Sequence, residues 1–386
     1  MRLLVVTGTL YPIPSNNANL LSKLLPILQK HHEVRILSTT LREDFRELPA
    51  FFQGIPVYWI DQYSVVAFKR AIVFPIISKL RDSNGNSDLL NMMYIREKLK
   101  QIKQEYPFDA VLSTSEPYPA ADALSSEKAK KVLYLMDPPE LVRNETGTAY
   151  RNRNLLRILS AQDTILTTPM IRDALLSSGM ERLYPLIVPV GFPMVEKHAR
   201  SSTHNDAHPI RVLFSGWMCS QLRSPEFFLQ IVSRLDERFT VTFMGRECEK
   251  LTERFDIRTK AELITMPQQP YEVALQAMAD ADIMINIGNS VPVHMPSKTL
   301  EYINTGKPFV NFYKMDDCPT LYYTKRYPLC LNMSEKDTDL DAAARRFIDF
   351  CVENKGKTVD RDYIEREYED CTPQYIAQKI LDALGE

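Results

Sequence analysis

The segment 294–310, HMPSKTLEYINTGKPFV, concentrates residue types that could bind an anion. Ser297 is a favourable residue for the N-cap of a helix, and Gly306 is favourable directly after a last helical turn. The pattern therefore predicts a short helix over residues 298–305. The amino terminus of a helix attracts negative charge through the helix dipole and through its unbonded backbone N–H groups.

Lys298 and Thr299 stand in the first turn of this predicted helix, where a cation opposes the dipole unless the site itself holds an anion. The Lys298 ammonium, the Ser297 hydroxyl and the backbone N–H groups together suit a pyrophosphate. Glu301, one turn further on, could accept hydrogen bonds from both hydroxyls of a ribose. The alternative is an exposed ion pair between Lys298 and Glu301, which would stabilise the helix by only about 0.3 kcal/mol.

Two further candidates follow the apolar run 210–214, which we predict to be a strand. Ser215 and Gly216 come directly after it, and a glycine there lets the backbone approach a ligand closely. Any tight turn uses glycine as well, so both roles stay open. Arg223 precedes a helix start, and taken alone it is best interpreted as a solvated surface arginine.

Polar residues also follow the predicted strands of the N-terminal half. Asn16 and Asn17 could bond a sugar or a phosphate, or could simply belong to a turn and helix cap. Glu116 and Asp137 stand at strand ends, where carboxylates are seldom placed for packing. Of the two, Asp137 is the preferred candidate to contact an acceptor hydroxyl as a base or an orienting group.

Short apolar, β-branched runs alternate with helical stretches, which is the pattern of parallel strands joined by crossover helices. The runs cover 3–6, 34–37, 110–112, 132–136, 165–168, 210–214, 241–244, 283–287 and 309–312. The polar segment 196–209 interrupts this alternation and has the composition of a linker. We therefore predict an α/β chain of two tandem, doubly wound, Rossmann-like domains, 1–195 and 210–359, that face a central cleft. A closing helical segment over 360–386, with a break near Pro373, could pack on either domain.

Composition excludes several classes of protein. The 386 residues include 47 Lys and Arg against 49 Asp and Glu, a net charge of −2 that offers no field for a nucleic acid. None of the 12 glycines lie closer together than Gly179 and Gly191, so neither G-x-G-x-x-G nor a P-loop can occur. The 6 cysteines form no C-x-x-C pair, which fits reduced thiols in the cytoplasm.

The acidic clusters do not predict a metal site. The pair Asp280 and Asp282 precedes a predicted strand instead of following one, and the run 337–348 lacks the glycine and the closing glutamate of a calcium loop.

No stretch approaches the about 18 apolar residues that a membrane span needs. The segment 65–81 places four basic residues among apolar ones, so it could contact anionic lipid or a lipid-linked acceptor at the inner face of a membrane. An ordinary core helix with a basic outer face is the preferred interpretation of the segment.

The run Pro296-Ser297-Lys298, Glu301-Tyr302 and Thr305-Gly306-Lys307-Pro308 resembles the donor-binding helix of GT-B fold glycosyltransferases, specifically the family 4-like group that uses nucleotide sugars. The resemblance implies an N-terminal acceptor domain and a C-terminal donor domain. It further implies transfer of a sugar, with retention, from a nucleoside diphosphate to a glycan or lipid-linked acceptor in polysaccharide or glycoconjugate biosynthesis. Neither metal nor cofactor is expected, and Arg223 would help to neutralise the leaving diphosphate.

One position departs from the pattern of this group. Its members commonly carry two glutamates with seven residues between them; Glu301 matches the second, whereas Val293 takes the place of the first. The first carboxylate normally contacts the donor sugar, so the adjacent His294 is the candidate contact for sugar or acceptor here. Two alternatives follow: a transferase-like protein that binds a nucleotide or glycan without turnover, and a sugar-nucleotide epimerase, which has a related two-domain build.

Overall fold

A computed structural model of the chain describes residues 1–8, 10, 16–41, 50–60, 87–114, 118–136, 152–196, 209–218, 223–290 and 293–386. The candidates Glu116 and Asp137 and the segment 65–81 lie outside these residues, and their roles stay predictions. Asn16 and Asn17 begin the first helix, but their side chains are not among those described.

The first compact unit combines Met1–Pro193 with Asp370–Glu386. Its strands are β1 (Arg2–Thr7), β2 (Glu33–Leu41), β3 (Phe51–Phe52), β4 (Ile55–Ile60), β5 (Ala110–Thr114), β6 (Lys130–Leu135), β7 (Thr164–Thr167) and β8 (Ile187–Pro189). They form a sheet in the order β3-β4-β2-β1-β5-β6-β7-β8, in which β3 is antiparallel to β4 and the other described pairings are parallel. Its helices are α1 (Asn16–Leu28), α2 (Ser87–Glu105), α3 (Tyr118–Leu124), α4 (Asn152–Ser160), α5 (Pro169–Ser177) and α13 (Pro373–Leu384).

The second compact unit is Met194–Glu369. Its strands are β9 (Ile210–Ser215), β10 (Phe239–Met244), β11 (Glu262–Met266), β12 (Ile283–Ile287), β13 (Phe309–Tyr313) and β14 (Cys330–Ser334). Their parallel pairings give the order β11-β10-β9-β12-β13-β14. Its helices are α6 (Glu226–Val232), α7 (Leu251–Arg254), α8 (Tyr271–Asp280), α9 (Lys298–Thr305), α10 (Pro319–Thr324), α11 (Leu340–Asn354) and α12 (Arg361–Glu367). The predicted α/β class with two Rossmann-like units is confirmed.

Aromatic side chains fill the core of the second unit. The ring of Phe228 on α6 lies 5.2 Å from that of Phe312, 5.6 Å from that of Phe243 and 5.8 Å from that of Phe347. Phe312 and Phe243 belong to strands and Phe347 to α11, so one helical residue joins both layers. This packing fixes α6, and with it the residues just before α6, against the sheet.

Five strands were not predicted: β3, β4, β8, β11 and β14. Strands β11 and β14 are the edges of their sheet and are only partly buried. Because an edge strand needs few apolar residues, polar side chains such as Glu262 and Asn332 interrupt their runs. Pro56 similarly breaks the pattern of β4, whose described partner on one side is the two-residue β3.

The structure divides the chain at different positions from those predicted. The second unit begins at Met194, before the predicted linker: the backbone N–H of Glu196 donates to Asn304 Oδ1 at 2.9 Å, and Arg361 donates to the Glu196 carbonyl. The closing segment 360–386 is broken before Pro373, as predicted: α12 belongs to the second unit, and α13 belongs to the first, where it packs on α1.

The return to the first unit depends on a close approach at Gly191. Its N–H donates to the Asp370 carbonyl at 2.8 Å, and a Cβ at this position would collide with Cys371 Sγ. Glycine is therefore required for the two segments to meet.

A buried lysine fixes the helix that precedes β12 to the end of α9. Lys307 follows the left-handed Gly306, and its ammonium donates to the carbonyls of Ala279 and of Ala281, the latter at 2.7 Å. These are the carbonyl groups that the end of α8 leaves without a helical partner. Burial lowers the pKa of Lys307 to about 8, although Asp282 opposes the shift.

We expect the stability contribution of Lys307 to rise with pH. The unfolded chain holds this proton up to its ordinary pKa of 10.5, whereas the folded chain releases it near pH 8. Unfolding therefore takes up a proton between these values, and the free energy of unfolding rises with pH across that window. Urea denaturation at a series of pH values should show this rise in the wild type relative to Lys307→Met. The exposed Lys325→Met variant is the control and should run parallel to the wild type; parallel curves for Lys307→Met would contradict the prediction.

Candidate functional site

The predicted helix over 298–305 is confirmed as α9, but its amino-terminal end differs from the expectation. Gly306 takes the left-handed conformation that ends the helix, with φ of 76°. Ser297 has helical backbone angles and its side chain makes no capping hydrogen bond. Instead, the N–H groups of residues 299, 300 and 301 donate to the carbonyls of Pro296 and Ser297. Backbone donors for a ligand must therefore come from residues before Thr299, together with side chains.

Lys298 and Glu301 form an ion pair, with 2.6 Å between Lys298 Nζ and Glu301 Oε2. The pair is not the exposed one of the alternative interpretation, because the Lys298 side chain is 22% exposed and that of Glu301 only 9%. Partly buried charges interact more strongly than solvated ones and cost more to desolvate. The pair thus places a cation and a carboxylate side by side at the start of α9.

Thr299, which we placed beside Lys298 in the candidate anion site, is buried in the protein. Its hydroxyl donates to Asn286 Oδ1 at 3.3 Å. That amide begins a buried ladder, since Asn286 Nδ2 donates to Asn311 Oδ1 and Asn311 Nδ2 donates to Asn332 Oδ1 across β12, β13 and β14. The Thr299 hydroxyl therefore attaches α9 to the sheet. This hydrogen bond indicates a structural role for Thr299.

Ser215 and Gly216 lie at the end of β9, directly against α9. The buried Tyr302 hydroxyl accepts a hydrogen bond from the Ser215 N–H at 3.3 Å and donates one to the Ser215 carbonyl at 3.2 Å. Burial raises the pKa of Tyr302 above its usual range, so the hydroxyl keeps the proton that it donates. Gly216 in turn packs on Gly245, where a Cβ would collide with the Gly216 carbonyl.

Arg223 is held at the same place by a residue that the sequence analysis missed. The Arg223 Nε donates to Asn289 Oδ1 at 2.5 Å, and Asn289 Nδ2 donates to the carbonyl of His294 at 2.6 Å. Asn289 is 0% exposed. A Cβ on Gly216 would lie 3.8 Å from an Arg223 guanidinium nitrogen, so the arginine lies beside the β9 loop. The available signal was an amide two residues after the apolar run of β12.

These contacts gather the site at one point of the sheet. Strands β9 and β12 are neighbours in the order β11-β10-β9-β12-β13-β14, and the sheet grows in opposite directions from this pair. The carboxyl ends of strands at such a switch point are where α/β sheets bind ligands. The described site residues of the second unit are grouped by these contacts at this edge: Ser215, Gly216, Arg223, His294, Lys298 and Glu301. Asn16 and Asn17 belong to the first unit, and Glu116 and Asp137 lie outside the described residues.

The arrangement suits an anion that also carries hydroxyl groups. Arg223 supplies a planar guanidinium and Lys298 an ammonium, which are the two side chains that proteins use for phosphate. Glu301 supplies an acceptor for hydroxyls within one helical turn of Lys298. Among the residues that the structure describes, no three His, Cys, Asp or Glu side chains come together as a metal site requires.

No protein-family model and no curated protein matches the sequence. Solved structures match its fold: sucrose-phosphate synthase from Thermosynechococcus elongatus aligns with a TM-score of 0.68 at 10% identity, over 99% of this chain and 98% of that one. HepE of Anabaena, solved in complex with UDP-glucose, aligns with a TM-score of 0.64 at 12% identity, over 100% and 99% of the two chains. The lipopolysaccharide outer core galactosyltransferase WaaB gives 0.62 at 12% identity, again over 100% and 99%.

The likeness to these structures extends over the full length of the chain and includes both Rossmann-like units. The predicted GT-B fold is therefore confirmed, and the protein has the fold of the nucleotide-sugar glycosyltransferases.

The Asn289 bridge should be measurable as a coupling between two residues. Asn289→Ala should lower the free energy of unfolding by about 1–3 kcal/mol, because the His294 carbonyl loses its donor in a buried place. In a double-mutant cycle with Arg223→Ala, followed by urea denaturation, the coupling should exceed about 0.5 kcal/mol. Arg234→Ala, which removes a surface pair with Asp341, should be additive with Asn289→Ala. If the effects of Asn289→Ala and Arg223→Ala also add, Asn289 does not hold the arginine.

Proposed function

We propose that the protein is a glycosyltransferase that moves a sugar from a nucleoside-diphosphate sugar to a glycan or lipid-linked acceptor. The observation that carries the proposal is the grouping of Arg223, Lys298 and Glu301 at the switch point of a GT-B donor-type unit. Cations and a hydroxyl-binding carboxylate at the ends of β9 and β12 are what a nucleoside diphosphate requires.

In this proposal Lys298 and Arg223 bind the diphosphate. Lys298 Nζ contacts one carboxylate oxygen of Glu301, Oε2, so the other oxygen of Glu301 is assigned to the ribose hydroxyls. Arg223 is held through its Nε by Asn289, and in this proposal its planar guanidinium binds phosphate oxygens. Preorganised cations of this kind stabilise charge without reorganising during the reaction.

The reaction breaks the bond between the anomeric carbon and the β-phosphate oxygen and forms one from that carbon to an acceptor oxygen. The bonding electrons leave with the nucleoside diphosphate, whose added negative charge Lys298 and Arg223 neutralise. The acceptor hydroxyl loses its proton. Asp137 is our first candidate to orient this hydroxyl or to receive its proton, and Glu116 is the second. Neither metal nor further cofactor is needed for this charge balance, and retention of configuration is part of the proposal.

A second candidate function is supported by Val293. This residue is buried and apolar where the resembling group carries a carboxylate toward the donor sugar, and the neighbouring His294 takes part in the Asn289 bridge through its carbonyl. A site that binds the nucleotide well and the sugar poorly would make the protein a nucleotide- or glycan-binding relative without turnover. The two candidates share the diphosphate contacts and differ in catalysis.

The acceptor and its setting are proposed from the sequence. We infer polysaccharide or glycoconjugate biosynthesis in the cytoplasm, with a glycan or lipid-linked acceptor. The basic segment 65–81, our candidate for peripheral contact with a membrane, lies outside the described residues. Within the residues that the structure describes, no helix has both the length and the apolar character of a membrane span.

Donor turnover should depend on Lys298 and Glu301 and should persist in EDTA. UDP-glucose, the ligand of the HepE structure, is the first donor to test, with release of UDP measured in the presence of glycan acceptors. Lys298→Ala and Glu301→Ala should each lower kcat/KM by about 100-fold, since each removes a charge-assisted contact worth about 3 kcal/mol. The exposed Lys325→Ala variant should keep wild-type turnover.

The other outcomes of this assay are also informative. Full activity in both Lys298→Ala and Glu301→Ala would contradict the donor site. Nucleotide binding by calorimetry, with no turnover across a panel of donors and acceptors, would favour the binding protein. Conversion of the donor sugar without any acceptor would identify an epimerase.

A further inference from the structure

A cavity in the Met194–Glu369 unit has a lining that includes none of Arg223, Lys298 and Glu301. It occupies about 380 Å³ where the start of α6 faces the residues that follow β13 and β14. Its polar lining includes Glu226, Gln230, Lys314, Glu335 and Asp337. The volume falls in the lower part of the range of small-molecule sites, so a single compact ligand fits better than an extended chain.

Glu335 is the unusual group in this cavity. Its backbone N–H donates to the Tyr313 carbonyl at 2.8 Å, which places the residue at the end of β14. Its side chain is 10% exposed, and its Oε1 is buried without a hydrogen-bond partner. Burial, with a contribution from Glu226, raises the pKa of Glu335 to about 7, while Lys314 opposes the shift. A buried carboxyl oxygen without a partner is rare in folded proteins, because it forfeits the hydrogen bonds that water would give.

Lys314 is the natural counterpart of this carboxyl, but the two groups do not satisfy each other. Lys314 Nζ lies 3.7 Å from Glu335 Oε2, which is an ion-pair distance beyond that of a hydrogen bond. The remaining carboxylates are placed otherwise: Asp337 pairs with Arg346 at 3.2 Å, and Glu226 is exposed in the first turn of α6. The cavity lining therefore holds a donor and an acceptor side by side, the Lys314 ammonium and the Glu335 carboxyl.

The charges around the cavity restrict what that group can be. Glu226, Glu335 and Asp337 stand with Lys314, and Asp337 also pairs with Arg346, so the lining has no surplus of positive charge that would attract a phosphate or carboxylate ligand. The Lys314 ammonium beside Glu335 disfavours a small metal cation by charge repulsion. What remains is a neutral ligand with neighbouring hydroxyls, one accepting from Lys314 and the other donating to Glu335, with Phe227 offering an apolar wall.

We propose that this cavity is a binding site for one neutral hexose residue, separate from the Lys298 site. Adjacent ring hydroxyls would bridge Lys314 and Glu335, and the amide of Gln230 at the rim can serve a third. The inference rests on the cavity and its lining alone, so it holds whether or not the protein transfers sugars.

The test is binding of D-glucose, D-galactose and D-mannose to the full chain, measured by saturation-transfer NMR. Lys314→Met and Glu335→Leu keep the side-chain volume and remove the hydrogen bonds. Each should therefore raise the dissociation constant of the hexose that binds by about tenfold or more. Lys336→Met removes a neighbouring exposed lysine that pairs with Asp316 and should bind like the wild type. Lys298→Ala should also leave hexose binding unchanged. Thermal melting of each variant checks that it folds, and agreement between the two cavity variants guards against a loss due to misfolding of one.

Several results would overturn the proposal. One is the absence of binding for all three hexoses at millimolar concentration. Another is hexose binding that Lys298→Ala abolishes while Glu335→Leu retains it, which would place the sugar in the donor site. A third is binding of spermidine in place of the hexoses, lost in Glu335→Leu and strengthened in Lys314→Met, which would make the cavity an amine site.

Discussion

The attachment of α9 to the sheet is the constraint on which the candidate donor site depends. Two buried hydroxyls make it: Tyr302 bonds both backbone groups of Ser215 at the end of β9, and Thr299 bonds Asn286 in β12. A buried hydroxyl that lost such partners would cost about 1–3 kcal/mol, so the helix has little freedom to slide or rotate. Because β9 and β12 are neighbours, these two bonds fix the start of α9 at their common edge. Lys298, Glu301 and the β9 loop meet there as a result.

The same geometry explains how the site carries charge before any ligand arrives. Lys298 at the start of α9 is unfavourable to the helix dipole, and Glu301 compensates by pairing with it at 2.6 Å. An arriving diphosphate would compete with Glu301 for the ammonium. The Glu301 carboxylate would then repel the phosphates unless other groups donated hydrogen bonds to it. The hydroxyls of a ribose are such donors. If the site binds a nucleoside diphosphate as proposed, the pair favours that ligand over inorganic phosphate, which brings charge and no such hydroxyls.

Much of this arrangement could be predicted from the sequence, because local signals determine it. The apolar runs located most strands, and Gly306 marked the end of α9, where the left-handed conformation requires a residue of its type. The sequence did not reveal the bonds between distant segments. Ser297 has the side chain of a cap, yet its backbone is helical, and no local pattern indicates that Thr299 ends an amide ladder across three strands. Asn289 carries no periodic signal, since its importance comes from Arg223, 66 residues earlier in the chain.

The edge strands and the cavity beside α6 could not be predicted from the sequence for a related reason. β14 is half-exposed and polar, so neither its course nor the position of Glu335 follows from apolar periodicity. Yet all the strands of a parallel sheet end at the same edge, and the residues that follow them gather there whatever their chemistry. In this unit the start of α6 separates two charge environments within a few residues, with Arg223 held toward the β9 loop and Glu226 lining the cavity beside α6. The first environment is cationic and the second has no surplus of positive charge, so the two proposed sites suit ligands of different charge.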